Sequence, residues 1–292
     1  MPELPEVETI RRGLAKNILN KKITSLEVKV KSLVKSDFPQ FQKILTGNSF
    51  SAIERIGKLL MFRLKSGNQY LLIHLKMTGQ LIYQKNQKIV AGGHNLPRAI
   101  GNLPNKFTHI TFTFADKSKL FFNDMRKFGY MKLVDIAGKE QIEKNNFGPD
   151  ALTISWPQFK TILEKKKNSR LKATLLNQQI IAGIGNIYAD EISFYGGVLP
   201  TRVIKTMPST TIKKLYEGTK KILAKAVECG GTTFGTHGEG NYVTAQGHRG
   251  NYCDYLKVYD REGENCLRCK KGIIAKKAVA GRGTSYCPSC QK

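Results

Sequence analysis

The sequence is short of acidic residues, and this shortage says most about its partner. Of 292 residues, 22 are aspartate or glutamate and 48 are lysine or arginine, which leaves a formal net charge of +26. Such an excess repels itself in the folded state, and solubility alone is served by mixed-sign surfaces with far less imbalance. The charge balance therefore predicts a polyanionic partner, and nucleic acid is the natural candidate.

Long apolar segments are also lacking. No stretch approaches the roughly 18–20 apolar residues that span a bilayer. The first ten residues carry three glutamates instead of the apolar run of a signal peptide. With 40% apolar residues and 292 positions, the chain can build two domains and a small third module. We therefore expect a globular, cytoplasmic protein.

Cysteine is scarce, and its spacing indicates a metal site. Two of the six cysteines, Cys229 and Cys253, stand alone. The other four form two pairs separated by 17 residues, namely Cys266, Cys269, Cys287 and Cys290. Four thiolates in two such pairs suit a closed tetrahedral Zn²⁺ site in a reducing compartment, and four unrelated buried cysteines are the alternative. A tail of about 30 residues buries little core, so the metal would supply its folding energy.

Hydrophobic spacing divides the chain into a strand-rich half and a helical half. Apolar residues three and four apart predict an amphipathic helix over residues 4–18, with Pro5 in its first turn. From about residue 22 to 135, short runs rich in β-branched and aromatic residues predict the strands of a β-sandwich or barrel. Residues 86–106 are rich in glycine and proline, which predicts a long mobile loop.

Helical periodicity returns after about residue 137. It predicts four helices, over residues 155–167, 170–182, 187–195 and 209–228. Before the third helix, two glycines form a tight turn and Asn186 is placed to cap the helix. Such a helix start offers backbone N–H groups to a phosphate, and an ordinary corner of a helical bundle is the alternative. Nearby basic residues favour DNA: Lys165, Lys166, Lys167, Arg170 and Lys172.

Two predicted strand ends carry side chains suited to a base stack. The segments HLKMTG, with His74 and Met77, and DMRKFG, with Arg126 and Phe128, each leave a strand and soon reach a glycine. Apolar or planar side chains presented together can fill a gap between stacked bases. Taken singly, Met77 and Phe128 are core residues by default, and His74 is by default a structural histidine.

The pair Pro2-Glu3 precedes the first helix and has no structural explanation. If Met1 is removed, as is usual before a small residue, Pro2 becomes a free secondary amine. An α-amino group has a pKa of about 8, so a useful fraction is nucleophilic at neutral pH. Attack on the anomeric carbon of a sugar would form an iminium, and Glu3 would shuttle the protons. An accident of the translation start is the alternative.

Together these segments resemble the bacterial formamidopyrimidine-DNA glycosylase family, also called 8-oxoguanine DNA glycosylase and AP lyase. The motifs span the chain in order: PELPEVET, HLKMTG, DMRKFG, LLNQQIIAGIGNIYADE and GRGTSYCPSCQK. The resemblance implies an α+β multidomain fold with duplex DNA held between its domains. The implied parts are a β-sandwich with a flanking helix (1–136), a helix–two-turn–helix domain (137–231), a lesion-capping loop and linker (232–262) and a zinc finger on a β-hairpin ribbon (263–292).

The resemblance also implies roles for individual residues. Pro2 would be the nucleophile, Glu3 the proton donor that opens the deoxyribose ring, and Glu6 a buttress of the site. The phosphates around the lesion would be contacted by Lys58, His74, Asn186 and Arg282. The void left by the flipped base would be filled by Met77, Arg126 and Phe128. Lys172 matches a lysine near the lesion.

The implied activity is that of a bifunctional glycosylase and AP lyase of base excision repair. It would act as a monomer at the bacterial nucleoid, on duplex DNA with oxidised bases or abasic sites. It would excise 8-oxoguanine and formamidopyrimidines through a Schiff base on Pro2, followed by β- and δ-elimination. An endonuclease VIII-like enzyme for oxidised pyrimidines and a non-catalytic, zinc-dependent damaged-DNA-binding protein are the alternatives.

Two departures from the family pattern affect these expectations. The 17 residues between the cysteine pairs are one more than the family's usual spacing, an insertion that a hairpin can absorb. Residues 231–242 are several residues longer than the family's lesion-capping loop. That loop contacts the everted base, so no base-recognition residue is carried over.

Overall fold

The computed structural model describes residues 2–86, 88–94, 103–232, 242–243 and 250–292. The chain forms two compact units, one of residues 1–143 with 227–253 and the other of residues 144–226 with 254–292. No helix in the described part of the chain combines the length and apolar character needed to cross a membrane.

The first unit contains two antiparallel sheets and a long helix. Its elements are α1 (Leu4–Ile18), β1 (Ile23–Val28), α2 (Phe38–Leu45), β2 (Phe50–Ile56), β3 (Leu59–Leu64), β4 (Gln69–His74), β5 (Gly79–Lys85), β6 (Lys88–His94), β7 (Thr108–Phe114), β8 (Lys119–Asp124), β9 (Tyr130–Asp135), α3 (Ile136–Asn146, which extends into the second unit) and β10 (Tyr242–Val243). One sheet has the order β1-β7-β8-β5-β6-β10, and the other β2-β3-β4-β9.

The two sheets share one core, which confirms the sandwich. The ring centroids of Phe50 on β2 and Phe112 on β7 are 6.2 Å apart in an edge-on arrangement, so aromatic side chains from the two sheets pack together. Helix α1 begins and ends where its periodicity predicts and buries its apolar stripe in the same core. The packed sandwich thereby fixes the start of α1, where Pro2 and Glu3 lie.

The expectation of an uninterrupted loop over residues 86–106 was wrong in part. Residues 88–94 form β6, which pairs antiparallel with β5 from Gln80–Gly93 to Lys85–Lys88. The β-branched pair Ile89-Val90 favours a strand, and the glycines that follow are tolerated because β5 supplies backbone partners. Residues 95–102 lie outside the described part of the chain.

The second unit is helical and ends in a two-stranded ribbon. Its elements are α4 (Trp156–Lys165), α5 (Leu171–Leu176), α6 (Asn186–Gly196), α7 (Ser209–Glu228, whose last two residues belong to the first unit), β11 (Ala275–Val279) and β12 (Arg282–Tyr286). Helix α5 is much shorter than the predicted 170–182. Asn177 ends it, because its side-chain Oδ1 accepts a hydrogen bond from Gln179 N and its carbonyl accepts one from Ile180 N.

Candidate active site and metal centre

Two buried carboxylates lie at the start of α1, directly behind Pro2. Glu3 caps the helix and is 4% exposed, and Glu6 in the first turn is 2% exposed. Glu6 Oε2 accepts a hydrogen bond from Glu3 N at 2.8 Å, and its Oε1 accepts one from Thr232 N at 2.8 Å. Glu6 therefore fixes the backbone that carries Glu3 and also holds the segment before the predicted capping loop.

Gly231 permits this close approach to Glu6. Its φ is +89°, and a Cβ added there would lie 2.9 Å from Cγ and Oε1 of Glu6. The role of Gly231 beside the buried carboxylate has no signal in the local sequence, because Glu6 is more than 200 residues away. Most of residues 231–242 lie outside the described part of the chain.

A buried ion pair connects α1 to the turn that carries Lys58. Arg55 Nε donates to Glu8 Oε2 at 3.1 Å, and Arg55 Nη1 donates to the carbonyl of Gly57 at 2.7 Å. Burial alone would raise the pKa of Glu8, but hydrogen bonds from Arg11 and Arg12 and the charge of Arg55 lower that pKa to about 2. This contact places Lys58, which is 6% exposed, at a fixed turn between β2 and β3.

His74 is held neutral at the end of β4. Burial, together with the positive charges of Lys76 and Lys58, lowers its pKa to about 3. Lys76 N donates to His74 Nδ1 at 2.9 Å, so the ring proton is on Nε2. The imidazole stacks on Tyr130, with 5.8 Å between ring centroids. His74 can thus donate a hydrogen bond without carrying a charge.

We expect His74 to remain neutral at pH 5 as the Nε2–H tautomer. Its folded pKa of about 3 lies below the unfolded value of about 6.5, so its contribution to stability is complete above pH 6.5 and is lost as the pH falls towards 3. Nitrogen-15 NMR of labelled histidine measures charge and tautomer, and His74→Gln identifies the signal. A cationic ring at pH 5 would contradict this assignment.

The two glycine-terminated segments meet and bring three predicted DNA-binding side chains together. Arg126 Nη1 donates to Met77 Sδ at 3.1 Å, and its guanidinium lies 4.6 Å from the centre of the Phe128 ring. Met77 is 39% exposed and Phe128 52% exposed, so neither is the core residue that a single position would suggest. We call Met77, Arg126 and Phe128 the wedge.

In the second unit, Asn186 contacts the hairpin that presents Arg282. Asn186 Nδ2 donates to the carbonyl of Gly283 at 2.9 Å. Its predicted role as a helix cap was wrong, because Gly185 is the N-cap of α6 and Asn186 is the first helical residue. Arg282 is exposed and opens β12 after the two-residue turn of Ala280 and Gly281, both with positive φ. Arg282 therefore lies next to the tip of the hairpin.

The side chain of Lys172 is buried and paired inside the second unit, so it offers no exposed charge to DNA. Its side chain is 0% exposed, and Nζ donates to Asp190 Oδ1 and to Thr284 Oγ1, both at 2.6 Å. Asp190 Oδ2 in turn accepts a hydrogen bond from Ser285 N at 2.9 Å. The expectation of a lysine at the lesion is therefore corrected. Lys172 joins α5 and α6 to the ribbon, and the run of basic residues around it hid this role.

The four paired cysteines converge on one point of the second unit. All four Sγ atoms lie within 4.8 Å of one another. The Cys266–Cys290 and Cys269–Cys287 Sγ pairs are separated by 3.6 and 3.9 Å. Zn–S bonds of about 2.3 Å give tetrahedral S–S edges of about 3.8 Å, so the donor set fits a four-thiolate metal site. Cys229 and Cys253 lie outside this cluster.

Two protein-family models match the chain. Residues 1–131 match the formamidopyrimidine-DNA glycosylase N-terminal domain, and residues 147–237 match the formamidopyrimidine-DNA glycosylase H2TH domain. Curated proteins named formamidopyrimidine-DNA glycosylase are similar over their full length. Those from Listeria monocytogenes and Carboxydothermus hydrogenoformans are each 38% identical, with 100% of both chains covered.

Solved structures of similar proteins contain damaged DNA. The complex between Lactococcus lactis Fpg and an abasic site containing DNA has a TM-score of 0.85, 32% identity and full coverage of both chains. A Lactococcus lactis FPG mutant with a Fapy-dG containing DNA has the same TM-score, 33% identity and the same coverage. The similarity thus extends over the sandwich, the helices and the ribbon.

Proposed function

The chain belongs to the formamidopyrimidine-DNA glycosylase family and is a DNA glycosylase of base excision repair, and we propose that it excises oxidised purines by means of Pro2. The buried carboxylate pair of Glu3 and Glu6 behind Pro2 carries this proposal. It requires that Met1 is removed, since a peptide bond to Met1 would leave Pro2 without an amine. We also propose that the chain has four segments, with boundaries after residues 136, 231 and 262.

The proposed reaction begins at the sugar. The nitrogen of Pro2 attacks C1′, the base leaves with the electron pair of the glycosidic bond, and Glu3 gives the proton that opens the deoxyribose ring. The resulting iminium acidifies the protons of C2′. Loss of one of these protons breaks the C3′–O bond, and a second elimination breaks the C5′–O bond. A one-nucleotide gap remains, with phosphates on both ends.

Both units contribute to the proposed grip on the DNA. Lys58 and Arg282 would contact phosphates as cations, whereas His74 and Asn186 would contact them as neutral hydrogen-bond donors. Turning a nucleotide out of a duplex costs a few kcal/mol. These contacts, together with the wedge in the vacated space, would offset this cost. The partner is duplex DNA with oxidised bases or abasic sites, bound by a monomer in the bacterial cytoplasm at the nucleoid.

Zinc is the proposed metal of the cysteine cluster. Thiolates select soft metals, and four of them close the tetrahedron and leave no position for a substrate, so the site is structural. Cys266, Cys269, Cys287 and Cys290 would hold the ion. The metal would fold the ribbon that presents Arg282.

Strand cleavage on a panel of lesions tests the proposed substrate class. Matched duplexes carry 8-oxoguanine, a formamidopyrimidine or thymine glycol, and the products are analysed for their end groups under single-turnover conditions. We expect faster cleavage at the purine lesions and phosphates on both ends. Faster cleavage at thymine glycol would assign the chain to the endonuclease VIII type instead.

The salt dependence of binding separates charged from neutral phosphate contacts. Each cation that neutralises a phosphate contributes about 0.9 to the slope of log K against log[salt] on duplex DNA. Arg282→Ala should therefore reduce the magnitude of the slope by about 0.9, with zinc still bound. Asn186→Ala should weaken binding and leave the slope unchanged. Fluorescence anisotropy with an abasic-analogue duplex measures both, and an unchanged slope for Arg282→Ala would rule out its contact.

A further inference from the structure

The three residues of the wedge lie on two loops that a single buried carboxylate holds together. One loop, residues 75–78, joins β4 to β5 and carries Met77, and the other, residues 125–129, joins β8 to β9 and carries Arg126 and Phe128. Asp124 ends β8 opposite Gly79 and is 0% exposed. Asp124 therefore lies between the two loops.

Asp124 accepts hydrogen bonds from both loops. From the first loop, the hydroxyl of Thr78 donates to Asp124 Oδ1. From the second, Arg126 N donates to Oδ1 at 3.1 Å and Gly129 N donates to Oδ2 at 2.7 Å. Arg126 N also lies 3.0 Å from Thr78 Oγ1. Hydrogen bonds to a buried charged acceptor are among the strong ones, so the two loops are joined at their base.

The backbone of Asp124 is fixed as well. Its amide donates to the carbonyl of Phe107 at 3.0 Å, and its carbonyl lies 2.7 Å from Nε2 of the buried His109. A Cβ at Gly129 would lie 2.7 Å from the Phe122 ring and 3.0 Å from Asp124 Oδ2, so only glycine lets the second loop turn over the carboxylate. Hydrogen bonds therefore hold both the backbone and the carboxylate of Asp124.

We propose that Asp124 and Thr78 are positioning residues that hold Met77, Arg126 and Phe128 as one preassembled wedge, a role that rests on the function proposed above. Separate loops would have to be ordered at the moment of base extrusion, and that entropy cost would fall on the extrusion step. We call Asp124 and Thr78 the clamp. With the clamp in place, the Met77–Arg126–Phe128 contacts exist before DNA binds.

The clamp should matter most when an intact base must be displaced. An abasic site has no base to displace and needs the wedge less. Asp124→Asn keeps the size of the side chain but replaces one acceptor oxygen by an NH₂ group that faces the donors of the loops. Single-turnover excision of 8-oxoguanine by this variant should fall about thirtyfold, with scission at a preformed abasic site within about threefold of the parent.

The controls separate this role from a general loss of stability. Asp116→Asn removes a carboxylate in the turn that precedes the opposite end of β8, where it binds Lys21 and Ser118, and it should leave both rates unchanged. Thr78→Val should reproduce the selective loss. Thr78→Ser keeps the hydroxyl and should retain the rates of the parent protein on both substrates. In the background of Phe128→Ala, Asp124→Asn should add little further loss, because both changes act on the same wedge.

Each result decides the role of the clamp. Equal losses on the two substrates in Asp124→Asn and Thr78→Val would overturn the proposal and assign the pair to fold stability. If Asp124→Asn does not fold, Thr78→Val alone gives the same decision. A parent protein that cleaves neither duplex would contradict the proposed function itself. If the parent cleaves both duplexes and the variants keep the parent's ratio of the two rates, only the role of the clamp is contradicted.

Discussion

Replacing Pro2 by glycine should slow strand scission at an abasic site by at least about a hundredfold, and acetylating the terminal amine should abolish it. A secondary amine forms an iminium that has no N–H proton to lose, so it stays cationic and draws electrons through both eliminations. The primary amine of the Pro2→Gly variant forms an imine, which is neutral unless it is protonated. The rate of β-elimination on a preformed abasic site measures this difference directly.

Pro5 offers a matched control for this substitution. It lies in the first turn of α1, where proline suits the helix start and carries no chemistry in the proposed reaction. Pro5→Ala should retain scission, because alanine fits the same helical turn. Equal rates for Pro2→Gly and the parent protein, or loss in Pro5→Ala alone, would mean that the terminal amine does not perform the reaction.

Removing the metal should cost the protein its ribbon and most of its affinity for DNA. Structural zinc contributes about 10–16 kcal/mol of apparent binding free energy to small domains of this kind. Without it, β11 and β12 have too little core to stay folded. The contact between Arg282 and the DNA would be lost, and we expect affinity for an abasic-analogue duplex to fall by about a hundredfold or more.

The loss of stability on metal removal should extend into the helices through the buried pair of Lys172 and Asp190. Both side chains are fully buried, and they bond to Thr284 and Ser285 of the ribbon. A buried charge that loses its partners is destabilising. Cys287→Ser should therefore lower zinc content, DNA affinity and the melting temperature together. Cys229→Ser lies outside the cluster and should lower none of them; a zinc-free Cys287→Ser protein with full affinity would contradict the structural role.

Local patterns in the sequence predicted the elements well wherever the pattern itself sets the structure. Helices α1 and α7 follow from their apolar spacing. The cysteine cluster follows from the pair spacing. Strand β6 was missed because it depends on a tertiary partner, β5, which supplies its backbone hydrogen bonds. The helix predicted over residues 170–182 was too long because Asn177 ends α5 through local hydrogen bonds.

The residues that support the proposed site had no signal in the sequence. Asp124, Glu8 and Gly231 act through partners that are distant in sequence or lie on other elements. A buried aspartate at a strand end reads as a turn signal in the sequence alone. Lys172 shows the opposite error, since its basic neighbours suggested phosphate contact although its partner is Asp190. Charge and spacing predict chemistry, whereas only packing shows which groups are buried and paired.

Reduction with borohydride during turnover, followed by peptide mapping of the trapped species, tests the central assignment most directly. An iminium reduced in place becomes a stable amine that links the enzyme to C1′ of the damaged nucleotide. The reaction as assigned yields one adduct per enzyme, on the nitrogen of Pro2 in the processed N-terminal peptide. An adduct on a lysine such as Lys58, or no adduct while an 8-oxoguanine duplex is being cleaved, would contradict it.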